Sequence, residues 1–160
     1  MEHRVAIDEQ QMLLATFFLR DAAFGLDAAQ VQEVVRLADI TPVHRAPNYV
    51  VGVMNLRGRI ATVIDLATRL QLGATEVGAD SRILIIEWRG EQIGLLVDRV
   101  ADASLVNRDA LRPSPENVCH IRSRHFKGVF HIDGTLVALL DTAAVLDMEN
   151  QAEATAARGE

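Results

Sequence analysis

The sequence predicts a mainly β protein, built as two small barrels packed together through an apolar seam, with short helices. Three observations carry that reading. Apolar residues recur with a period of two, not 3.6, along most of the chain. Turn residues punctuate the chain about every 8–12 positions, as in small barrels and unlike a βαβ sheet. A block of sequence occurs twice. The composition allows a packed core: of 160 residues, 49% are hydrophobic and 24% charged.

The elements follow in order. Residues 1–11 are polar and read as a flexible N-terminus. Met12–Leu19 and Ala23–Leu26 are apolar runs split by Arg20-Asp21-Ala22, a hairpin. Asp27 is placed to cap a short helix over Ala28–Val34, with Gln30 in the N3 position of a capping box. Val34–Ile40 reads as a strand, and Pro42 and Pro47 mark an irregular crossing. Val50–Leu56 and Arg59–Ile64 are strands about the polar knot Asn55-Leu56-Arg57-Gly58. Asp65 sits at the N-cap of a helix over Leu66–Leu72. After the polar loop Gly73–Ser81, Arg82–Trp88 and Gln92–Val97 form a second hairpin. Val100–Val106 reads as one strand and residues 112–117 as a loop. Phe126–Ile132 and Thr135–Leu140 form a third hairpin about Asp133-Gly134, and a last helix begins near Asp141. The tail, 149–160, reads as flexible or loosely helical.

The repeat aligns without a gap. Gly52–Leu70 (GVMNLRGRIATVIDLATRL) lies over Gly128–Leu146 (GVFHIDGTLVALLDTAAVL), so Gly52 matches Gly128, Gly58 matches Gly134 and Asp65 matches Asp141. Upstream, Ala23–Val34 resembles Gln92–Ala103, with Gly25 on Gly94 and Val31 on Val100. Shared glycines at 58 and 134 serve a tight turn, and shared aspartates serve helix capping. Arg57 is different. Its counterpart is Asp133, so the fold does not demand arginine there, and an unrequired residue on an exposed turn is a binding candidate.

Charge and cysteine content narrow the function. A net charge of −6 argues against general nucleic-acid binding or attachment to an anionic membrane, which both need a basic surface. A single cysteine, Cys119, makes no internal disulfide. The opening MEHRVAIDEQQ lacks the apolar core of a signal peptide, and no apolar run reaches the roughly 20 residues of a membrane helix. A soluble, cytoplasmic protein is expected. Cys119-His120, His125 and His131 lie within thirteen residues but fit no common zinc spacing. His125 and His131, with Lys127 between them, read as one solvated strand face. Cys119 and His120, adjacent on an extended segment, point to opposite sides and cannot easily share a proton. Asn55-Leu56-Arg57-Gly58 is no phosphate loop, having one glycine and leading into a strand. No metal and no cofactor is expected.

FFLRDAAFGLDAAQVQEV, APNYVVGVMNLRGRIATVIDL, RILIIEWRGEQIGLLVDRVADA and FKGVFHIDGTLVALLD, in that order, resemble CheW-type coupling proteins of bacterial chemosensory arrays. The likeness runs over about residues 12–148, read as one domain with a first barrel mostly over 20–80 and a second over 81–148. It implies two SH3-like, five-stranded barrels and no catalysis. It implies two partners: the cytoplasmic tip of a methyl-accepting chemoreceptor and the regulatory domain of a CheA-type histidine kinase. The same module in a pilus, gliding or second-messenger pathway is the alternative, and a small β-barrel hydrolase using Cys119 or a histidine is the outside one. Val35-Arg36-Leu37 and Thr41-Pro42 depart from the usual family pattern and bear on partner identity.

Against that background, Arg57 is expected either to contact the receptor or to be held by Glu33, reached across the seam in a bidentate fork. Val31, Gly52 and Val53 serve either strand packing or a receptor groove between the barrels, where Gly52 lets a helix come close. Leu37, Ile40 and Val43 are either core or an apolar patch for the kinase.

Overall fold

The computed structural model describes residues 8–113 and 123–147. Among the described residues, eleven strands run as β1 (Gln11–Leu19), β2 (Ala22–Asp27), β3 (Val31–Val35), β4 (Val50–Leu56), β5 (Arg59–Asp65), β6 (Arg82–Trp88), β7 (Glu91–Val97), β8 (Arg99–Val100), β9 (Ser104–Asn107), β10 (Phe126–Ile132) and β11 (Thr135–Leu140), with helices α1 (Leu66–Arg69) and α2 (Thr142–Leu146). They form two sheets. The first has the order β3-β6-β7-β5-β4. The second has β10-β11-β2-β1-β8, with β9 also paired to β1. Because β8 and β9 share one edge along β1, each sheet has five strand positions in matching order.

That order shows how the repeat is used. The hairpin β1–β2 belongs to the first copy of the repeat, yet it completes the sheet of β8–β11. The hairpin β6–β7 belongs to the second copy, yet it completes the sheet of β3–β5. The joins are equivalent to the residue: β7 runs parallel to β5 with Gly94 beside Val63, and β2 runs parallel to β11 with Gly25 beside Leu139. The expected division at residue 80 is therefore corrected. The two copies exchange hairpins, and each subdomain draws strands from both halves of the chain. The hairpins are alike in sequence, so the repeat alone does not say which sheet each one joins.

Three apolar clusters follow. Met54, Ala61, Val63, Ile83, Ile85 and Leu96 form the first sheet's own cluster, and Met12, Leu14, Ala23, Phe130, Val137 and Leu139 form the second's. The largest lies between the sheets, where Phe17, Phe24 and Leu26 of one meet Ile64, Leu84, Ile86 and Leu95 of the other. This is the expected apolar seam. It explains why β6 reads as an almost unbroken apolar run: Ile83 and Ile85 face the interior while Leu84 and Ile86 face the seam.

Local chemistry sets the element ends. Arg57-Gly58, Arg89-Gly90 and Asp133-Gly134 are two-residue turns with positive φ at both positions, the twist that suits a hairpin. Asp141 caps α2 through the Ala144 amide at 3.2 Å. Asp65 stands at the N-cap of α1, but its carboxylate accepts from Thr68 Oγ1 and from the amide and hydroxyl of Thr75, pinning the following loop.

Four expectations need correction. The helix expected over Ala28–Val34 is only a 3₁₀ turn, Ala28–Gln30, capped by Asp27 through the Ala29 amide at 3.0 Å. Gln30 forms no capping box; its side-chain oxygen accepts from Thr142 Oγ1 of α2 at 3.0 Å. The strand expected at Val34–Ile40 is β3, ending at Val35, because pairing to β6 draws Val31 onward into the sheet. Val100–Val106 is interrupted at residues 101–103. Residues 1–7, 114–122 and 148–160 lie outside the described residues, and with them the expectations for the tail, for Cys119 and His120 and for most of the N-terminus; Gln11, expected in that flexible segment, instead opens β1 and pairs with Asn107.

Candidate functional site

Arg57 is the first of the two turn residues between β4 and β5, with φ 54°. That left-handed backbone favours Gly, Asn or Asp. Asn55 supports it by accepting the Gly58 amide at 2.8 Å. The side chain is 78% exposed and donates from Nη1 to Glu33 Oε2 at 2.7 Å, while Glu33 itself is 24% exposed. The expected partnership thus exists, with two corrections. The contact is a single bond, not a fork: Glu33 Oε1 is buried without a hydrogen-bond partner among the described residues. The pair also does not cross the seam. Glu33 lies on β3 and Arg57 follows β4, the two end strands of one sheet. Four inter-strand steps in a flat sheet would be about 19 Å, beyond the combined reach of these side chains, so the sheet curls until its ends meet here.

The other expected site residues are distributed around that closure. Val31 on β3 is half-buried and packs on the seam cluster. Val53 on β4 is half-buried, and its backbone exchanges two 2.8 Å hydrogen bonds with Thr41, which covers this edge. Gly52 is buried, and the expected reason for glycine is corrected. It has φ +154°, and a Cβ would lie 2.3 Å from the Thr41 carbonyl oxygen. The close approach is made by the chain's own backbone, not a partner helix. Gly128 repeats it, with φ +154° and the Arg112 carbonyl oxygen 2.4 Å from where a Cβ would stand. Both glycines sit at a bulge. Leu37 and Ile40 are half-buried against the first sheet's interior, so of the expected kinase patch only Val43, at 45%, stands exposed.

The histidines do not share a face. His125 is buried in the 3₁₀ turn before β10, outside the strand's alternation, whereas His131 is exposed on β10. Among the described residues no group of three or more His, Cys, Asp or Glu side chains is placed to hold a metal, and no helix is long and apolar enough to cross a membrane.

A second polar feature locks the seam, and sequence reading missed it. Arg69 at the end of α1 is buried, donates from Nε to the Val145 carbonyl of α2 at 2.8 Å, and lies over the Tyr49 ring at 4.9 Å. Burial pushes the Tyr49 phenol above its ordinary pKa, and the Arg69 charge pulls it partly back. The phenol oxygen has no hydrogen-bond partner among the described residues.

The family model of the CheW-like domain matches residues 13–150 of this chain. The chain belongs to the CheW-like family. The CheW-like chain is 30% identical over 138 residues to the chemotaxis protein CheW of Rhizobium meliloti, covering 86% of this chain and 89% of that one. It is 31% identical over 142 residues to that of Thermotoga maritima, covering 89% and 91%. Among solved structures it is similar to the scaffolding protein TtCheW of Thermoanaerobacter tengcongensis, with a TM-score of 0.77, 30% identity and coverage of 88% and 91%. In this CheW-like domain, Arg69 carried little sequence signal because it follows a helix cap that already accounts for its neighbours. Its counterpart under the repeat is Val145, the residue whose carbonyl it binds.

Proposed function

We propose that this CheW-like chain is a non-catalytic adaptor of a chemosensory array. It couples the cytoplasmic tip of a methyl-accepting chemoreceptor to the regulatory domain of a CheA-type histidine kinase, and it works in the cytoplasm at receptor clusters. The observation that carries this reading is the Arg57–Glu33 pair. An exposed ion pair contributes only about 0–1 kcal/mol to stability, and the fold supplies an aspartate at the matching turn, so stability does not explain the arginine. What the pair does is hold a guanidinium at a fixed place where β3 and β4, the strands that carry Val31 and Val53, come together, on the face proposed for the receptor. The largely buried Glu33 anchors one end, and the remaining guanidinium donors point to a partner's carboxylate or carbonyls. Val43, exposed where Leu37 and Ile40 are half-buried, lies on the segment proposed for the kinase. Signal passes by linkage: a receptor state that prefers one arrangement of adaptor and kinase shifts kinase activity by that difference in affinity.

Co-sedimentation with membranes carrying a receptor tests the assignment. Arg57→Glu is expected to weaken receptor association by about tenfold or more, since it places like charge beside Glu33 and reverses the charge offered to the partner. The exchange Arg57→Glu with Glu33→Arg restores the internal pair but not the outward arginine, so binding stays weak if Arg57 touches the receptor itself. Unchanged binding by both Arg57→Ala and Glu33→Ala would remove the site.

A further inference from the structure

The two subdomains differ at one place where the repeat makes them comparable. In the first sheet, Leu96, Val51 and Ile40 lie with the interior cluster; Leu96 is buried, and Val51 and Ile40 pack against it. The equivalent positions in the second sheet are Asp27, Lys127 and Leu111. The first two follow from the aligned glycines, and the third from its place against Gly128, where Ile40 stands against Gly52. Two apolar positions have become charged. There the second subdomain opens a cavity of about 170 Å³, floored by Met12, Phe130 and Leu139 and rimmed by Asp27, Arg108 and Lys127.

The rim is not a closed salt bridge. Arg108 Nη2 stands 3.8 Å from Asp27 Oδ2, too long for a hydrogen bond, and Nη1 lies 3.9 Å from the Met12 sulfur, a weak acceptor. Asp27 Oδ1 is already used by the Ala29 amide. Among the described residues that line the mouth, two cations, Arg108 and Lys127, accompany one carboxylate, Asp27, a local positive charge on a chain of net charge −6. The fold does not require these charges, since its other copy does without them.

We propose that this mouth docks an acidic segment of a partner protein, which inserts one aromatic or large aliphatic side chain and lays a neighbouring carboxylate on Arg108 and Lys127. The volume decides between a side chain and a free metabolite. A cavity of roughly 150 Å³ takes a single benzene ring, whereas pockets for whole small ligands run to about 300–1,000 Å³. Charge complementarity selects the acidic segment. The surface is separate from the Arg57 face, in the other sheet, and does not depend on the receptor assignment.

The test is methyl NMR of the full chain, observing Met12, Leu111, Leu139 and Leu140, titrated with the tripeptide acetyl-Glu-Phe-Glu-amide. Saturable shifts confined to these methyls are expected, weakening with added salt. Arg108→Gln and, independently, Lys127→Val each reduce affinity by about three- to tenfold. No shift at millimolar peptide, equal affinity for acetyl-Lys-Phe-Lys-amide, or unaltered affinity in both variants overturns the proposal. Phenylacetate saturating the same methyls as tightly as the peptide also overturns it, in favour of a small-molecule site.

Discussion

At the residue scale, the glycines and Tyr49 separate backbone demands from packing demands. Gly52→Ala forces a Cβ against the Thr41 carbonyl as well as an unfavourable φ, and is expected to cost about 3 kcal/mol or more in urea unfolding. Gly58→Ala, with φ +85° but nothing within 4 Å of the added carbon, is expected to cost only about 1 kcal/mol. Equal costs would contradict this account of the bulge. The turn role of Gly58 was legible in the sequence because a two-residue hairpin declares itself locally. The role of Gly52 was not, because the atom that excludes a side chain comes from Thr41, eleven positions earlier and outside any strand. Tyr49→Phe removes a buried hydroxyl with no partner among the described residues, and is expected to raise stability by about 1 kcal/mol at neutral pH. The raised phenol pKa means the folded state holds its proton longer than the unfolded chain. Stability from this group is complete below the ordinary phenol value of 10.0 and falls as pH rises above it. Denaturation midpoints of wild type and Tyr49→Phe between neutral and strongly alkaline pH check this: the variant loses less. Arg57 was legible as a residue the fold does not need, and Glu33 as its partner, but their single bond across a barrel closure depends on sheet curvature that no local pattern records.

At the element scale, hairpins were readable and isolated edge strands were not. β4–β5, β6–β7 and β10–β11 follow from alternation around short turns, to within a residue at each end: Glu91, expected in the second turn, is the first residue of β7. β3 is misread from sequence because Ala28–Val34 carries a helix cap and good helix formers. Pairing with β6 overrides that propensity after a single 3₁₀ turn. β8 and β9 are misread as one strand for the complementary reason: the interruption at 101–103 is set by how β1 passes, not by a breaker residue. The segment after β3 is where packing and docking are to be separated. Ile40→Ala is expected to cost about 1–2 kcal/mol, less than for a fully buried isoleucine, because Ile40 is half-buried against the interior cluster. Val43→Ala is expected to change stability by under about 0.5 kcal/mol while weakening kinase association. Thermal unfolding alongside a kinase-domain binding assay distinguishes the two. A Val43→Ala protein with full kinase affinity removes this segment from the proposed surface.

At the scale of the whole molecule, the notable result is the exchange of hairpins between the two repeats. The repeat and the seam were visible in the sequence. The exchange was not, because β1–β2 and β6–β7 offer nearly the same strands to either sheet, and only the chain path decides between them. Neither half of the chain contains a complete sheet. Cleavage at a protease site placed in the Gly73–Ser81 loop is therefore expected to leave the two pieces associated through native size-exclusion chromatography, parting only in denaturant. Pieces that separate in native buffer would contradict the observed topology. The same architecture suits an adaptor, since a seam shared by both halves ties the face around Arg57 rigidly to the other subdomain, through apolar packing and the Arg69–Val145 bond. The most direct test of the coupling claim is the autophosphorylation rate of a CheA-type kinase on receptor-bearing membranes, with and without this protein. The account predicts receptor-dependent kinase stimulation that requires the chain and is lost with Arg57→Glu; a kinase rate indifferent to its presence, while it binds neither partner, would contradict it.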